Sequence, residues 1–491
     1  MKGRVFLSLL CVFFSIPIFA QDPKTFREQY DAFKKQSMDS YSDFRGECNR
    51  RYSEFLRGAW EWFQIAPAFE RPKEENVVPP VIYEEDNNEK EEETVIIEDV
   101  IEPDPQVVPQ PQPVSPISPE PISEIKRKSI DYFGTKVSIA TPESLVYLSD
   151  ISGKALSDAW DKLSDGRYDQ ALYDCLQIRD QLVLCDWAYL CLLVHYASSC
   201  YEERYKNEVI FLTSFMYCQS GYDMRIAHSE KEELCMLYSS THKIAGIPYL
   251  EIDGNTYYLL GNPEGERLAT ITESFEGSSP LSLWFPQAMK LENDLSEARV
   301  LKGTLFNSSI STRVNKNLIS FYDCYPTSIC GDDIMTRWAM YAEKQVDDNL
   351  IKGLYPQIRK ALPQGSTANK LNYILNFVQT AFVYEFDDKV WGYDRAFFPE
   401  ETLFYPYSDC EDRAILFSRM VKDILGLEVL LVYYPGHLAT AVHLDEVVNG
   451  DCLVLDGRRY MICDPTYVGA PIGHTMPGMD NNAAQVIRLK K

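Results

Sequence analysis

The stretch Tyr405-Pro406-Tyr407-Ser408-Asp409-Cys410-Glu411-Asp412-Arg413-Ala414 decides the reading of the fold. Ser408 followed three residues later by Glu411 is a capping-box signature and predicts a helix start. Ala414, Phe417, Val421 and Ile424 then form an apolar stripe at helical spacing, and Gly426 is a natural C-terminal stop. Cys410 therefore falls in the first turn of an amphipathic helix. There the helix dipole and unpaired backbone amides favour thiolate over thiol, and one such amide could face a developing oxyanion. A buried structural cysteine is expected further along, on the apolar stripe.

Working outward, Leu427 to Tyr434 reads as a strand, Pro435-Gly436 as a turn and His437 to His443 as a second strand. Asp456-Gly457 is a hairpin turn, followed by a strand from Arg459 to Cys463 that ends in Asp464-Pro465-Thr466-Tyr467. Cys410, His437 and Asp464 thus occupy a helix start, a strand start and a strand end. Acyl-transfer chemistry needs those three types. A thiolate attacks the carbonyl, an imidazole shuttles the proton, and a carboxylate fixes the tautomer and orientation of the ring. For His437 and Asp464 to meet, their strands must run antiparallel and side by side, with Cys452 to Asp456 outside that pair.

With Tyr407-Ser-Asp-Cys410-Glu-Asp-Arg-Ala414, Gly436-His437 and Cys463-Asp464-Pro465-Thr466 in that order, the sequence resembles the transglutaminase-like superfamily. The resemblance covers roughly residues 365 to 475. It implies an α+β, papain-like core in which a Cys-bearing helix packs on an antiparallel sheet. It also implies Cys410 as nucleophile, His437 as general base and acid, Asp464 as orienting carboxylate, and no cofactor. One departure concerns the residues after His437: Leu438 and Ala439 stand where the family often has an aromatic. Tyr405, Tyr407 and Trp391 are candidates for an additional oxyanion donor, with a core aromatic as the plainer reading of each. His443 reads as an ordinary strand residue, and His474 lies in a loop that could border the cleft. No metal site is expected, because paired-cysteine spacing is absent and Cys410 and His437 fit no ligand turn.

The chain has 491 residues, 45% apolar and 25% charged, with a formal net charge of −25. This length suggests several units, and the apolar content supports sizeable cores. So acidic a chain is a poor candidate for nucleic acid, which calls for a clustered basic face. Residues 1–20 read as an export signal: Lys2 and Arg4, an apolar run from Val5 to Ile18, then Phe19-Ala20 before Gln21. Leu10 before Cys11 argues against lipoprotein processing. No later stretch reads as a membrane span, because the most apolar, Leu182 to Ala197, carries Asp186. The expected location is therefore outside the cytoplasm: periplasmic, cell-surface or secreted.

Residues 21–66 read as a helical, aromatic-rich arm, with Tyr41, Cys48, Phe55 and Trp62 spaced by seven. It could receive a partner protein or dock on the chain's own body. Residues 67–128 read as a disordered acidic, Pro-rich linker. Fourteen acidic residues lie between Glu70 and Pro105, and a proline run spans Pro109 to Pro121. Thr94 to Ile97 could pair as a short strand. Residues 129–290 read as an α+β unit, 291–350 as a connector with strands, and 351–491 as the catalytic domain. Strands are expected at Phe133 to Ile139, Arg299 to Phe306 and Asn317 to Tyr325, and helices at Met335 to Ala361 and Lys370 to Phe382.

Two internal similarities suggest a degenerate second copy. Phe211 to Met216 is similar to Ile415 to Met420, and Leu250-Glu-Ile-Asp-Gly254 to Leu453-Val-Leu-Asp-Gly457. In such a copy Cys410 corresponds to Lys206 or Asn207, His437 to about Leu234, and Asp464 to Gly261, so it would carry no triad. Chance similarity between two α+β segments is an equal alternative. Cysteine connectivity cannot be read. An Asp-Gly turn at 456–457 sets Cys452 opposite Met461, which argues against a Cys452–Cys463 bridge.

The expected function is an exported cysteine enzyme acting on a protein or peptide through a Cys410 thioester, with water as acceptor. The alternatives are a cross-linking transglutaminase and a non-catalytic envelope binding or assembly protein that retains the fold. A cleft plugged by the chain's own residues would favour the last.

Overall fold

The helix that carries Cys410 runs Cys410–Leu425 and ends at Gly426, whose φ of +70° closes it in the left-handed conformation that glycine adopts without strain. Its start differs from the expected one. Asp409, not Ser408, is the N-cap, and the reciprocal partner is Asp412 rather than Glu411. Ser408 is unavailable because it belongs to a short strand, Tyr407–Ser408, that pairs parallel with Val383–Tyr384. Its hydroxyl also accepts from Arg413 Nε at 3.3 Å. The shift makes Cys410 the first helical residue and leaves the Glu411 side chain free of capping.

The computed structural model describes residues 45–73, 77–84, 92–103, 126–273 and 278–490. The proposed signal at 1–20, the arm before residue 45 and the proline run at 109–121 lie outside the described residues. The fold is mixed α+β. Among the described residues no helix is long and apolar enough to cross a membrane.

The Cys410 helix packs on Val429–Tyr434 and His437–His443, two strands of a seven-stranded sheet. In spatial order that sheet runs Thr94–Ile96, Cys452–Leu455, Arg458–Cys463, His437–His443, Val429–Tyr434, Gln485–Arg488, Val100–Ile101. His437–His443 and Arg458–Cys463 are antiparallel neighbours, and Cys452–Leu455 lies on the far side of the latter. Asp456 and Gly457, at φ of +51° and +73°, make the tight turn, and Cys452 faces Met461.

The first sheet in chain order has the strand order Glu61–Gln64, Arg267–Thr270, Met224–Ser229, Leu234–Ser239, Asn255–Leu260, Tyr249–Ile252. Without the strands contributed by residues before 102, both sheets are five-stranded antiparallel arrays with one connectivity: fifth, first, second, fourth, third. Each follows a helix that packs on its first two strands, Lys206–Gln219 in one case and Cys410–Leu425 in the other. Lys206 opens its helix as Cys410 does, Leu234 opens the second strand as His437 does, and Gly261 follows the fourth strand as Asp464 does.

The N-terminal segments differ most from the sequence reading. Residues 45–56 are helical and dock on the body, with Tyr52 and Leu56 fully buried and the Tyr52 ring 4.3 Å from that of Trp160. The heptad seam breaks at Gly58, and Trp62 sits in a strand, 45% exposed, on the edge of the first sheet. The 67–128 stretch is ordered where described. Thr94–Ile96 and Val100–Ile101 pair parallel with Cys452–Leu455 and Gln485–Arg488, on the two sides of the seven-stranded sheet. Val95 enters the same apolar cluster as Val432 and Ile462. Local charge argued for an extended tether, but β-branched residues alternating with acids also make an edge strand when a sheet is there to receive them.

Elsewhere, Arg127–Tyr132 and Thr135–Ala140 form a hairpin where one strand was expected, because Phe133 and Gly134 turn at positive φ. Lys316–Tyr322 is a helix, capped by the Asn315 side chain, where a strand was expected. Arg299–Leu301 is shorter than its expected span.

Candidate active site

The sheet brings His437 and Asp464 together. His437 Nε2 lies 2.8 Å from Asp464 Oδ2, and both side chains are essentially buried. The other oxygen of Asp464 accepts the backbone N–H of Thr466 at 2.8 Å and of Tyr467 at 3.1 Å. The turn after the strand therefore aims the carboxylate at the ring. Gln379 Nε2 holds the Asp464 carbonyl at 3.0 Å. With Nε2 committed to Asp464, the nitrogen left for proton transfer is Nδ1, which is buried and has no hydrogen-bond partner.

Cys410 is 2% exposed. Its Sγ donates to Glu411 Oε2 at 3.6 Å. Arg413, 1% exposed, ties the helix start to the C-terminal end of the Thr367–Ala381 helix by donating to the carbonyls of Gln379 and Phe382. The helix and the His437 strand are in contact, so all three expected residues belong to one packed region.

The expected oxyanion donors are engaged elsewhere. The Tyr405 hydroxyl donates to Asp323 at 3.0 Å, its ring packs 4.9 Å from that of Trp391, and Tyr407 is 42% exposed. Tyr384, which sequence reasoning missed, fits better. The parallel pairing places it beside Ser408, and its buried hydroxyl has no partner. Burial first, and then the charges of Cys410, Asp409 and Glu411, push its hydroxyl far above the usual tyrosine range. Only the pairing of two two-residue strands puts it there, and nothing local in the sequence signals that. His443 is a strand residue bonded through Nδ1 to the Arg459 carbonyl at 2.8 Å. His474 meets the Tyr83 hydroxyl at 3.3 Å.

A run of the acidic segment crosses this region. Val78 donates to the carbonyl of Gly436, next to His437, at 3.0 Å. Tyr83 donates to the Val468 carbonyl, and Val468 donates back to Val81, four residues past Asp464. Val78, Val81 and Tyr83 pack on Tyr467, Ala470 and Met476. Residues 77–83 thus form a strap between the turn before His437 and the loop after Asp464.

Beside Cys410 lies a group of acids that zinc-type spacing did not flag. Atoms of Asp387, Asp394 and Glu411 lie within 4.8 Å of one another, as do those of Asp387, Asp409 and Asp412. Asp412 is committed to capping and to the Phe397 N–H at 2.9 Å. Burial, then mutual repulsion, pushes Asp409 and Glu411 well above the ordinary carboxyl range, and burial pushes Asp387 up to about 7. A cavity of about 500 Å³ opens onto this group and is lined by Arg71, Lys73, Asp387, Asp394, Asp409 and Glu411, among others.

In the first sheet the corresponding positions carry other groups. Asn207, in the first turn of its helix, accepts from the Leu234 N–H at 2.9 Å and donates to the Glu232 carbonyl at 3.0 Å. An amide clamp on the hairpin stands there in place of thiol and imidazole. A scan against protein-family models finds no match for the chain, and a search of curated proteins finds none either.

Proposed function

We propose that the chain is an exported cysteine acyl-transfer enzyme with a papain-like, transglutaminase-like catalytic unit at its C-terminus. The observation that carries this reading is the buried His437–Asp464 pair, 2.8 Å apart, on a strand packed against the helix that Cys410 opens. Cys410 attacks an amide carbonyl, with its proton passing to His437 Nδ1. Asp464 holds Nε2 and stabilises the imidazolium that forms. The Cys410 backbone N–H and the Tyr384 hydroxyl are the donors suited to the oxyanion. His437 then returns the proton to the leaving amine, and water releases the acyl group. Hydrolysis is preferred to cross-linking because no acceptor site for a second amine is identified among the described residues.

The strap and the 2% exposure of Cys410 favour a second reading, in which the same fold serves as a closed, non-catalytic scaffold. A thiol-directed amide-mimicking probe separates the two. The enzyme labels at Cys410 in a His437-dependent manner once the strap is displaced, whereas a scaffold stays unlabelled at Cys410 with the strap removed.

A further inference from the structure

We propose that Cys191 and Cys324 are joined by a disulfide that staples the Asp186–Cys200 helix to the turn after the Lys316–Tyr322 helix. The Trp187 indole donates to the Cys324 carbonyl at 3.1 Å and sets residue 324 against the first turn of the Asp186–Cys200 helix. Cys191 lies four residues after Trp187, so it shares that face one turn further along. There its thiol meets the Cys324 sulfur in a side-chain hydrogen bond. Tyr132 marks the same spot. Its hydroxyl donates to the Ala188 carbonyl at 2.6 Å, and burial first, then Cys191, Cys185 and Cys324, raise it well above the tyrosine range.

Cys185 is the competing partner. It sits at the N-cap of the same helix, six residues before Cys191 and so about 120° around the axis from it. It reaches Cys324 only as a more distant charge, without the sulfur contact that Cys191 makes. The two paired thiols also divide the chemistry between them. Cys324 is exposed and Cys191 is half-buried. The hydrogen bond from Cys191 holds the Cys324 thiol below its ordinary value, and the same contact, then burial, pushes Cys191 well above. Cys324 is therefore the attacking thiolate. It bonds to one sulfur of a disulfide oxidant and expels the other sulfur as a thiolate. Cys191 then loses its proton to water, bonds to the Cys324 sulfur and expels the remaining half of the oxidant. The two cysteines give up two electrons and two protons, and the oxidant's disulfide becomes two thiols. An exported thiol–disulfide oxidoreductase and a small-molecule disulfide share that chemistry. The supply of such an oxidant rests on the proposed export, whereas the pairing does not.

The bridge joins two parts of the molecule. Residue 324 follows Asp323, whose carboxylate accepts from Arg395 at 2.8 Å and from the Tyr405 hydroxyl at 3.0 Å. Arg395 also donates to Glu401 and, through its backbone N–H, to Asp387, each at 2.6 Å. A helix of the first unit is thereby anchored, one residue away, to the stretch that leads into the Cys410 helix. Residues 191 and 324 are also far apart in the chain, so closing that loop removes much conformational freedom from the unfolded state.

The test reduces the full chain, reoxidises it with oxidised glutathione and blocks remaining thiols with N-ethylmaleimide. Non-reducing peptide mapping follows, with chymotrypsin, which cuts after Trp187 and Tyr189 and so separates Cys185 from Cys191. The expected result is a cross-link between the Cys191 and Cys324 peptides, reversed by dithiothreitol. The oxidised chain should melt about 5 °C or more above the reduced one. In Cys191→Ala the reaction should stop at glutathione held on Cys324, and in Cys185→Ala the cross-link should form as in the wild type. Recovery of both Cys191 and Cys324 as maleimide adducts after oxidation would overturn the proposal. So would a Cys324 cross-link to Cys185.

Discussion

The Nε2 atom of His437 and the Oδ2 atom of Asp464 lie 2.8 Å apart because two antiparallel strands, His437–His443 and Arg458–Cys463, run side by side. The carboxylate makes three contacts in all, one to the ring and two to backbone N–H groups of its own turn. That commitment fixes which ring nitrogen is free.

Asp464→Asn tests the tautomer directly. The amide oxygen can still accept from Thr466 and Tyr467, but an NH₂ facing Nε2 forces the imidazole proton onto Nδ1. His437 then cannot take the Cys410 proton. The acylation rate should fall by about 10²–10⁴-fold with little change in melting temperature. An unchanged rate would remove Asp464 from the mechanism.

The strap should control access to Cys410. Val81→Asp places a charge against Tyr467, Ala470 and Met476. Opening the strap should then become easier by about 1.4 kcal/mol or more, which would raise the rate of Cys410 alkylation at least about tenfold. Peptide mapping of iodoacetamide adducts reads this site apart from the other cysteines.

Asn207→Ala should separate the two units. It removes two hydrogen bonds to the Glu232–Leu234 turn and should cost about 1–2 kcal/mol of stability. Labelling at Cys410 should not change, because the first sheet carries no equivalent of the triad.

His242, 4% exposed, should make stability fall with acid. Burial lowers its folded-state value to about 4 from an ordinary 6.5. The unfolded chain thus binds a proton that the folded chain refuses between those values. The stabilisation is complete above pH 6.5 and is lost as pH drops toward 4, by roughly 3 kcal/mol in all. Denaturant melts of His242→Gln should show a shallower loss over that window than the wild type.

The Lys344–Glu400 ion pair, 2.8 Å long, has both side chains fully buried. Lys344→Met leaves a buried carboxylate without its counter-charge and should cost about 3–5 kcal/mol, and adding Glu400→Gln should recover part of that loss. Chemical denaturation of the single and double variants checks the sign.

The C-terminal sheet was legible because its signals are local. Alternating apolar runs, Pro435-Gly436 and Asp456-Gly457 set strand lengths and turns, and the turn at 456–457 fixed Cys452 opposite Met461. What escaped the sequence depended on distant partners. Thr94 to Ile97 was readable as a possible short strand, but not its partner, the free edge that Cys452–Leu455 offers, and Trp62 leaves its apparent helical seam for the edge of Arg267–Thr270. Ser408 lost the cap to Asp409 because Val383–Tyr384 drew it into a parallel pair. In the site, the order of Cys410, His437 and Asp464 was readable from motif spacing. Tyr384, Asp387 and Asp394 were not, since their relevance lies in a loop folding back over the helix start.

The central claim is that Cys410 is a nucleophile driven by His437. Incubating the full chain carrying Val81→Asp with an electrophilic amide-mimicking probe, followed by intact-mass measurement and peptide mapping, tests it most directly. The account predicts one adduct, on Cys410, absent in Cys410→Ala and formed at least about 10²-fold more slowly in His437→Ala. Adducts confined to other cysteines, or a His437→Ala chain that labels Cys410 at the undiminished rate, would contradict it.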